Sequence, residues 1–233
     1  MNVERENQIR ENLIKVHEKI EFSAKKAGRN PEEITLVAVS KTYPASDMLL
    51  AVNCGEKQFG ENRVQELCEK KPVMPEGVKI HLIGHLQSNK VKNAVKNACL
   101  IHSVDSVSLA REISKVSVKE EILTEILIQV NVSKDEAKFG IDEKELAEVL
   151  KEISVLPGVK VKGLMTVPAI EMDREKTREH FKKLKNLYDT YKDEYGFDTL
   201  SMGMSSDFDI AIEEGATLVR VGSDIFGARD YSK

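Results

Sequence analysis

Short apolar runs and amphipathic stretches alternate along this chain. Eight runs rich in β-branched and apolar residues predict strands, and they lie at 34–40, 57–60, 79–84, 100–104, 126–131, 159–167, 199–204 and 217–222. In between, apolar positions that recur every three or four residues indicate helices, with predicted starts near Ser88, Asp105, Asp142, Met172 and Ser206. Asp142, with Glu145 three residues later, forms a capping-box pattern. A further amphipathic helix precedes the first strand and ends at Gly28.

This alternation predicts an α/β fold. Strands separated by helices pair in parallel, because a parallel partner needs a crossover connection. Eight such units in about 200 residues fit a closed (β/α)8 TIM barrel, at the short end of that fold's size range. An open doubly wound sheet is the competing architecture. No linker or change in composition divides the chain, so residues 1–233 are predicted to form a single domain with an extra N-terminal helix.

Composition excludes several classes of protein. The 233 residues carry a formal net charge of −4, which argues against a nucleic-acid-binding protein. No apolar run approaches the roughly 18 residues of a membrane span, and the polar N-terminus does not resemble a signal peptide. Three cysteines without CxxC spacing indicate reduced thiols. We therefore expect a cytoplasmic protein that binds neither membrane nor nucleic acid, and a polar barrel surface indicates a monomer.

Candidate chemistry lies at the strand ends, since barrel sites are built at the carboxyl ends of the strands. Lys41 follows the first apolar run directly. A lysine at a barrel mouth is either a solvated rim charge or a desolvated amine that forms a Schiff base with a carbonyl. Residue type and position alone leave both interpretations open.

The eighth strand favours the second interpretation. Closure of a barrel makes the first and eighth strands neighbours, so Arg220 and Gly222-Ser223 should lie beside Lys41. Barrel phosphate sites are frequently built from the loops after strands seven and eight, and 201–206 supplies the seventh. A lysine, an arginine and a glycine/serine phosphate cradle meet the needs of pyridoxal 5′-phosphate (PLP). Phosphosugar-binding barrels share the Gly-Ser feature, so a barrel enzyme without a cofactor remains an alternative.

Other candidates are weaker. His81 and His85 lie four apart in a strand-like segment, which is not the helical geometry of a metal pair, and no metal site is predicted. Met165 is typical of barrel packing, although a methionine at this level can also contact an aromatic ring. The dinucleotide, P-loop, zincin and serine-hydrolase motifs are absent from the sequence.

Four segments together resemble the pyridoxal phosphate homeostasis protein family, single-domain relatives of the alanine racemase barrel. They are AVSKT at 38–42, FGEN at 59–62, HLIGHLQSNK at 81–90, and LSMGMS at 200–205 with VRVG at 219–222. They run from the first predicted strand to the last, so the resemblance covers essentially the whole chain. Ile80 and Leu82 depart from the aromatic residues frequent in the family but stay apolar.

The resemblance implies a role for each matching residue. It makes Lys41 the Schiff-base lysine and Arg220 the partner of the pyridine nitrogen. The positions that it implies for phosphate binding are Ser201, Gly203, Gly222 and Ser223. Asn62 falls where the family lines the ring, and Met165 completes the predicted cofactor-binding set.

Two functions need Lys41: a PLP-dependent racemase or decarboxylase, and a carrier that holds and releases PLP without turnover. The chain ends at Lys233, soon after Gly222, so the C-terminal domain that supplies a second base in alanine racemases is expected to be absent. An arginine at the ring nitrogen also weakens the electron sink. We therefore expect a non-enzymatic carrier in vitamin B6 and amino-acid homeostasis, without catalytic residues and with PLP-dependent apo-enzymes as recipients.

Overall fold

Eight parallel strands close into a barrel in the computed structural model, which describes residues 3–133, 135, 138–169 and 173–227. The strands are β1 (Thr35–Val39), β2 (Gln58–Glu61), β3 (Lys79–Leu82), β4 (Ile101–Val104), β5 (Thr124–Gln129), β6 (Val159–Met165), β7 (Thr199–Ser201) and β8 (Leu218–Val221). They follow chain order around the barrel, and β8 pairs with β1, with Val37 opposite Arg220. The (β/α)8 prediction is confirmed, and the open sheet is excluded.

Nine α-helices are found in the described part of the chain. They are α1 (Val3–Lys26), α2 (Ala45–Asn53), α3 (Val64–Lys70), α4 (Val91–Asn97), α5 (Val107–Lys119), α6 (Leu146–Ile153), α7 (Arg174–Tyr195), α8 (Phe208–Glu213) and α9 (Ser223–Phe226). The predicted N-terminal helix is α1, which packs across α8 and α9. The short helices α2 and α3 were not among the predicted helices, because neither has a long apolar repeat.

One predicted helix start is wrong, and two others are displaced by one residue. Helix α6 begins only at Leu146, and no capping box forms, since Oδ1 of Asp142 instead accepts from the main-chain N–H of Lys144 at 2.9 Å. Helix α8 begins after Asp207 rather than after Ser206. At Asp142 a local turn uses the polar side chain that was expected to cap the helix. Helix α5 begins one residue later than predicted, with Ser106 as its N-cap. Met172 lies outside the described residues.

Several strands end earlier than predicted, and this matters for the site. β3 ends at Leu82 and β7 ends at Ser201, so the glycines Gly84 and Gly203 belong to loops. Gly203 has a φ of +91°, a left-handed conformation that removes it from a regular strand. The predicted strand ends thus become the loops that surround the mouth of the barrel.

The core lies mainly between the barrel and its helices. Outward-facing strand residues, such as Ile126, Ile128 and Leu164, belong to one large apolar cluster with the helices. The inward faces are partly polar, because His81, His102 and Arg220 are buried inside the barrel. No helix of the described residues combines the length and the apolar character needed to cross a membrane.

Candidate functional site

A cavity of about 850 Å³ opens at the carboxyl ends of the strands. Five of the eight predicted cofactor-binding residues line it: Lys41, Asn62, Arg220, Gly222 and Ser223. They come from the ends of β1, β2 and β8, which are adjacent in the closed barrel. The expected convergence of the first and eighth strands is therefore present in the structure.

Lys41 occupies a tight turn that follows β1. The main-chain oxygen of Ser40 accepts a hydrogen bond from Tyr43 N–H at 3.1 Å, so Lys41 and Thr42 are the two central residues of the turn. Thr42 has a φ of +70°, which is unfavourable for a β-branched residue. The turn carries the Lys41 side chain out of the strand ladder and into the wall of the cavity.

Arg220 supplies a buried cation to the floor of the cavity. Strand periodicity places it on the inward face of β8, and its residue surface is only 3% exposed. Nη2 donates to the main-chain oxygen of Thr166 at 2.8 Å, and Nη1 donates to Oγ of Ser201. Burial lowers the pKa of Arg220 to about 10, so the side chain remains a cation at neutral pH.

A chain of buried hydrogen bonds supports Arg220 from inside the barrel. Nε2 of His81 lies 2.9 Å from Oε1 of Gln58, and Nδ1 of His81 lies 2.9 Å from Nε2 of His102. Nδ1 of His102 lies 3.0 Å from Oγ of Ser201, which accepts from Arg220. Together these contacts connect the N-terminal end of β2 with the floor of the cavity.

Both imidazoles of this chain are neutral at neutral pH. Burial lowers the pKa of His81 to about 4 and the pKa of His102 well below its ordinary value. The amide oxygen of Gln58 can only accept, so the proton of His81 lies on Nε2 and His81 Nδ1 is an acceptor. The proton of His102 therefore lies on Nε2, which donates to His81. His102 Nδ1 is left as an acceptor, and Ser201 donates its hydroxyl proton to it. Ser201 therefore has no proton to offer the cavity, and it acts on the cavity through Arg220.

Three predicted residues, Met165, Ser201 and Gly203, are not among the residues that line the cavity. Met165 is buried with Leu100 and Leu127 and packs against Val167, which does line it. At Gly203 an added Cβ would lie 2.6 Å from Cβ of Ala211, so this glycine permits close packing of the loop on α8. The structure thus places all three in the layer that supports the cavity wall.

The loop after β7 approaches the end of β8. Oγ of Ser205 accepts from Gly222 N–H at 3.2 Å, and Oδ1 of Asp207 accepts from Met204 N–H at 2.7 Å. Burial raises the pKa of Asp207. A Cβ on Gly222 would lie 3.2 Å from the main-chain oxygen of Val39, so glycine allows β8 to pack tightly on β1 at this level.

An aromatic stack also lines the cavity. The rings of His85 and Phe139 are parallel within 14° and 4.0 Å apart, and His85 Nδ1 lies 3.2 Å from an oxygen of Asp105. Sequence reasoning did not select Phe139, because it lies outside the predicted strands and helices and has no spacing signal. Among the described residues, no three His, Cys, Asp or Glu side chains form a group that could hold a metal ion.

Comparison with known proteins identifies the class to which this barrel and its cavity belong. The family model described as the N-terminal domain of alanine racemase matches residues 9–230. A pyridoxal phosphate homeostasis protein of Aquifex aeolicus is 43% identical over 95% of this chain and 98% of its own length. The protein of that name in Escherichia coli K12 is 41% identical, over 97% of this chain and 99% of its own.

A solved structure supports the same assignment. PipY of Synechococcus elongatus PCC7942, described with PLP bound, is 33% identical, with a TM-score of 0.83 over 94% of this chain and all of that one. The chain therefore belongs to the pyridoxal phosphate homeostasis proteins within the alanine racemase N-terminal domain family, as its sequence predicts. Both relatives carry the name of a homeostasis protein and not of an enzyme, in agreement with the expected class.

Proposed function

We propose that this protein binds PLP at the barrel mouth, holds it as a Schiff base on Lys41, and releases it to apo-enzymes without turning over substrate. The observation that carries this proposal is the meeting of Lys41, the buried cation Arg220 and Gly222-Ser223 in one cavity. PLP binding by PipY, a relative 33% identical to this chain, supports the choice of cofactor.

The residues present fit the chemical groups of PLP. A cavity of about 850 Å³ offers ample room, an amine for the aldehyde and a cation for the ring nitrogen. The hydroxyls of Ser205 and Ser223 would hold the phosphate, in the part of the cavity lined by Gly222. PLP would supply an aldehyde when bound. Lys41 would provide the amine that forms a reversible Schiff base with it, with loss of one water on formation and uptake of one water on release.

Arg220 favours storage over catalysis. Its guanidinium stays charged at neutral pH and would hold the ring nitrogen as a hydrogen-bond acceptor. A fixed cation makes protonation of that nitrogen costly, and the unprotonated ring is a poorer electron sink. We assign Ser201 to the support of Arg220, and Met165 and Gly203 to the support of the cavity wall.

Purified protein loaded with PLP tests this proposal. We expect a visible absorbance band that is lost in Lys41→Ala, and measurable transfer of the cofactor to an apo-enzyme that uses PLP. In deuterated water with L-alanine, α-proton exchange should be very slow. Exchange at roughly 1–10³ s⁻¹, the ordinary range of enzymatic rates, would establish a racemase-like enzyme instead.

The proposal includes a monomer in the cytoplasm. A polar barrel surface supports the monomer, and three free cysteines support a reducing compartment. Light scattering of the PLP-loaded protein tests the oligomeric state, since a monomer has the chain mass of 26.2 kDa and a dimer twice that mass.

A further inference from the structure

A cluster of three ionisable side chains, two of them buried, lies beneath the Lys41 turn. Glu61 ends β2, while Glu66 and Lys70 belong to α3, and the Lys70 side chain is only 8% exposed. The Lys70 ammonium donates to the main-chain oxygen of Ser40 at 2.8 Å and to Oε1 of Glu61 at 2.7 Å. A third bond, to Oε2 of Glu66, is 3.0 Å long. All three ammonium protons are thereby used.

The same cluster holds the residues on both sides of Lys41. Oγ of Ser40 donates to Oε1 of Glu61 at 2.6 Å, in addition to the bond from Lys70 to the Ser40 main chain. On the other side, Thr42 N–H donates to Oε2 of Glu66 at 2.8 Å. The main chain is therefore fixed immediately before and immediately after the lysine.

The turn needs such support. Thr42 adopts a φ of +70°, which β-branched residues rarely occupy. Conformations of this kind persist where the surrounding structure holds them in place, and they concentrate at functional sites. The bond from Thr42 N–H to Glu66 is such a restraint, and Lys70 links Glu66 to the main chain of Ser40, directly after β1.

We infer that Lys70, acting with Glu66, is a positioning residue that holds the Lys41 turn in the geometry from which the amine reaches a carbonyl in the cavity. This inference rests on the proposed Schiff base at Lys41. Lys70 is not a second cofactor lysine, because its ammonium is buried and fully bonded in the cluster. Its contribution is to the rate at which Lys41 reacts.

Lys70→Met tests the inference, because methionine approximates the aliphatic part of lysine and removes the ammonium. The first measurement is the rate at which excess PLP becomes fixed to protein by borohydride. The second is the affinity for pyridoxine 5′-phosphate, which carries an alcohol in place of the aldehyde and cannot form the Schiff base. We expect a rate roughly 10- to 100-fold lower, since a misplacement of about 1 Å has effects of this size. The affinity of Lys70→Met for pyridoxine 5′-phosphate should stay within about threefold of the wild-type value.

Neighbouring residues provide matched controls. Lys71→Met removes an ammonium that bonds the main-chain oxygen of Val78, and Glu69→Gln changes an exposed partner of Gln65. Both should react at the wild-type rate. If Lys70→Met does not fold, Glu66→Gln removes the negative charge that binds Lys70 and Thr42 while leaving the buried ammonium with Glu61. It should slow the reaction by roughly 3- to 10-fold.

The outcomes separate the inference from the proposed function. A wild-type rate in Lys70→Met, or in Glu66→Gln where the first variant does not fold, overturns the inference. A parallel loss of rate and of affinity for pyridoxine 5′-phosphate also overturns it, because the cluster would then support the whole cavity. If the wild-type protein itself shows no borohydride-fixed cofactor on Lys41, the proposed function has failed before Lys70 is tested.

Discussion

The carboxyl group of Glu61 should make stability depend on pH in a direction opposite to that of most acidic residues. This side chain is fully buried, and Oε1 accepts from Ser40 Oγ at 2.6 Å and from Lys70 Nζ at 2.7 Å. Oε2 is buried with no hydrogen-bond partner among the described residues. Burial raises the pKa of Glu61 to about 7, although Lys70 and Ser40 act in the opposite direction.

The sign and size of the effect follow from proton linkage. Between a pKa of about 4.5 in the unfolded chain and about 7 in the folded protein, the folded state binds more protons at this site. Stability from this group is therefore complete below pH 4.5 and is lost as the pH rises through 7. Because each tenfold difference in proton affinity is worth about 1.4 kcal/mol, the loss is about 3 kcal/mol.

Comparing wild type with Glu61→Gln isolates the contribution of Glu61 to the pH dependence of stability. Glutamine resembles the protonated carboxyl in shape and does not titrate. The buried imidazoles of His81 and His102 have lowered pKa values and act in the opposite direction below pH 6.5, but they are common to both proteins and cancel. Urea unfolding at pH 5 and pH 8 should show the free energy of unfolding of Glu61→Gln rising by about 3 kcal/mol relative to wild type. A difference between the two proteins that stays constant with pH would refute the reasoning.

Three further substitutions have expected outcomes. Ser223→Ala should weaken PLP binding roughly 10-fold, measured by equilibrium dialysis, because a hydrogen bond to a charged group contributes about 1.5 kcal/mol or more. Gly222→Val should weaken it further, since even a Cβ would lie 3.2 Å from the Val39 main-chain oxygen, and unchanged affinity in both variants would place the phosphate elsewhere. Ser201→Ala removes the proton donor to His102 and should lower the free energy of unfolding by about 1–3 kcal/mol in urea titrations. Unchanged stability would mean that His102 finds another partner.

The barrel and the approach of Arg220 to Lys41 follow from patterns that a sequence displays directly. Eight alternating units favour closure, and closure makes the first and last strands neighbours whatever the side-chain details. Strand periodicity then places Arg220 on the inward face. These steps depend on spacing alone. The structure confirms the fold and places Lys41 and Arg220 in the lining of one cavity.

The hydrogen-bond networks that support Lys41 and Arg220 join residues far apart in the sequence. They depend on how the strands and helices are aligned, and the sequence did not predict them. Lys70 reaches Ser40 across the space between a helix and a strand, and nothing local distinguishes it from the adjacent Lys71. Likewise, His81 and His102 bond each other because β3 and β4 are neighbours at a particular register. Asp142 shows that local patterns are also ambiguous. A carboxylate that begins a capping-box pattern can equally well accept a hydrogen bond within a turn.

Peptide mapping after borohydride reduction tests the central claim most directly. The PLP-loaded protein is reduced, digested and analysed for the peptide that carries the cofactor. We predict that the cofactor lies on Lys41 in a 1:1 ratio to protein, and that Lys41→Ala retains the fold by circular dichroism but carries no fixed cofactor. Labelling of a different lysine in the wild-type protein, or equal labelling in Lys41→Ala, would contradict it.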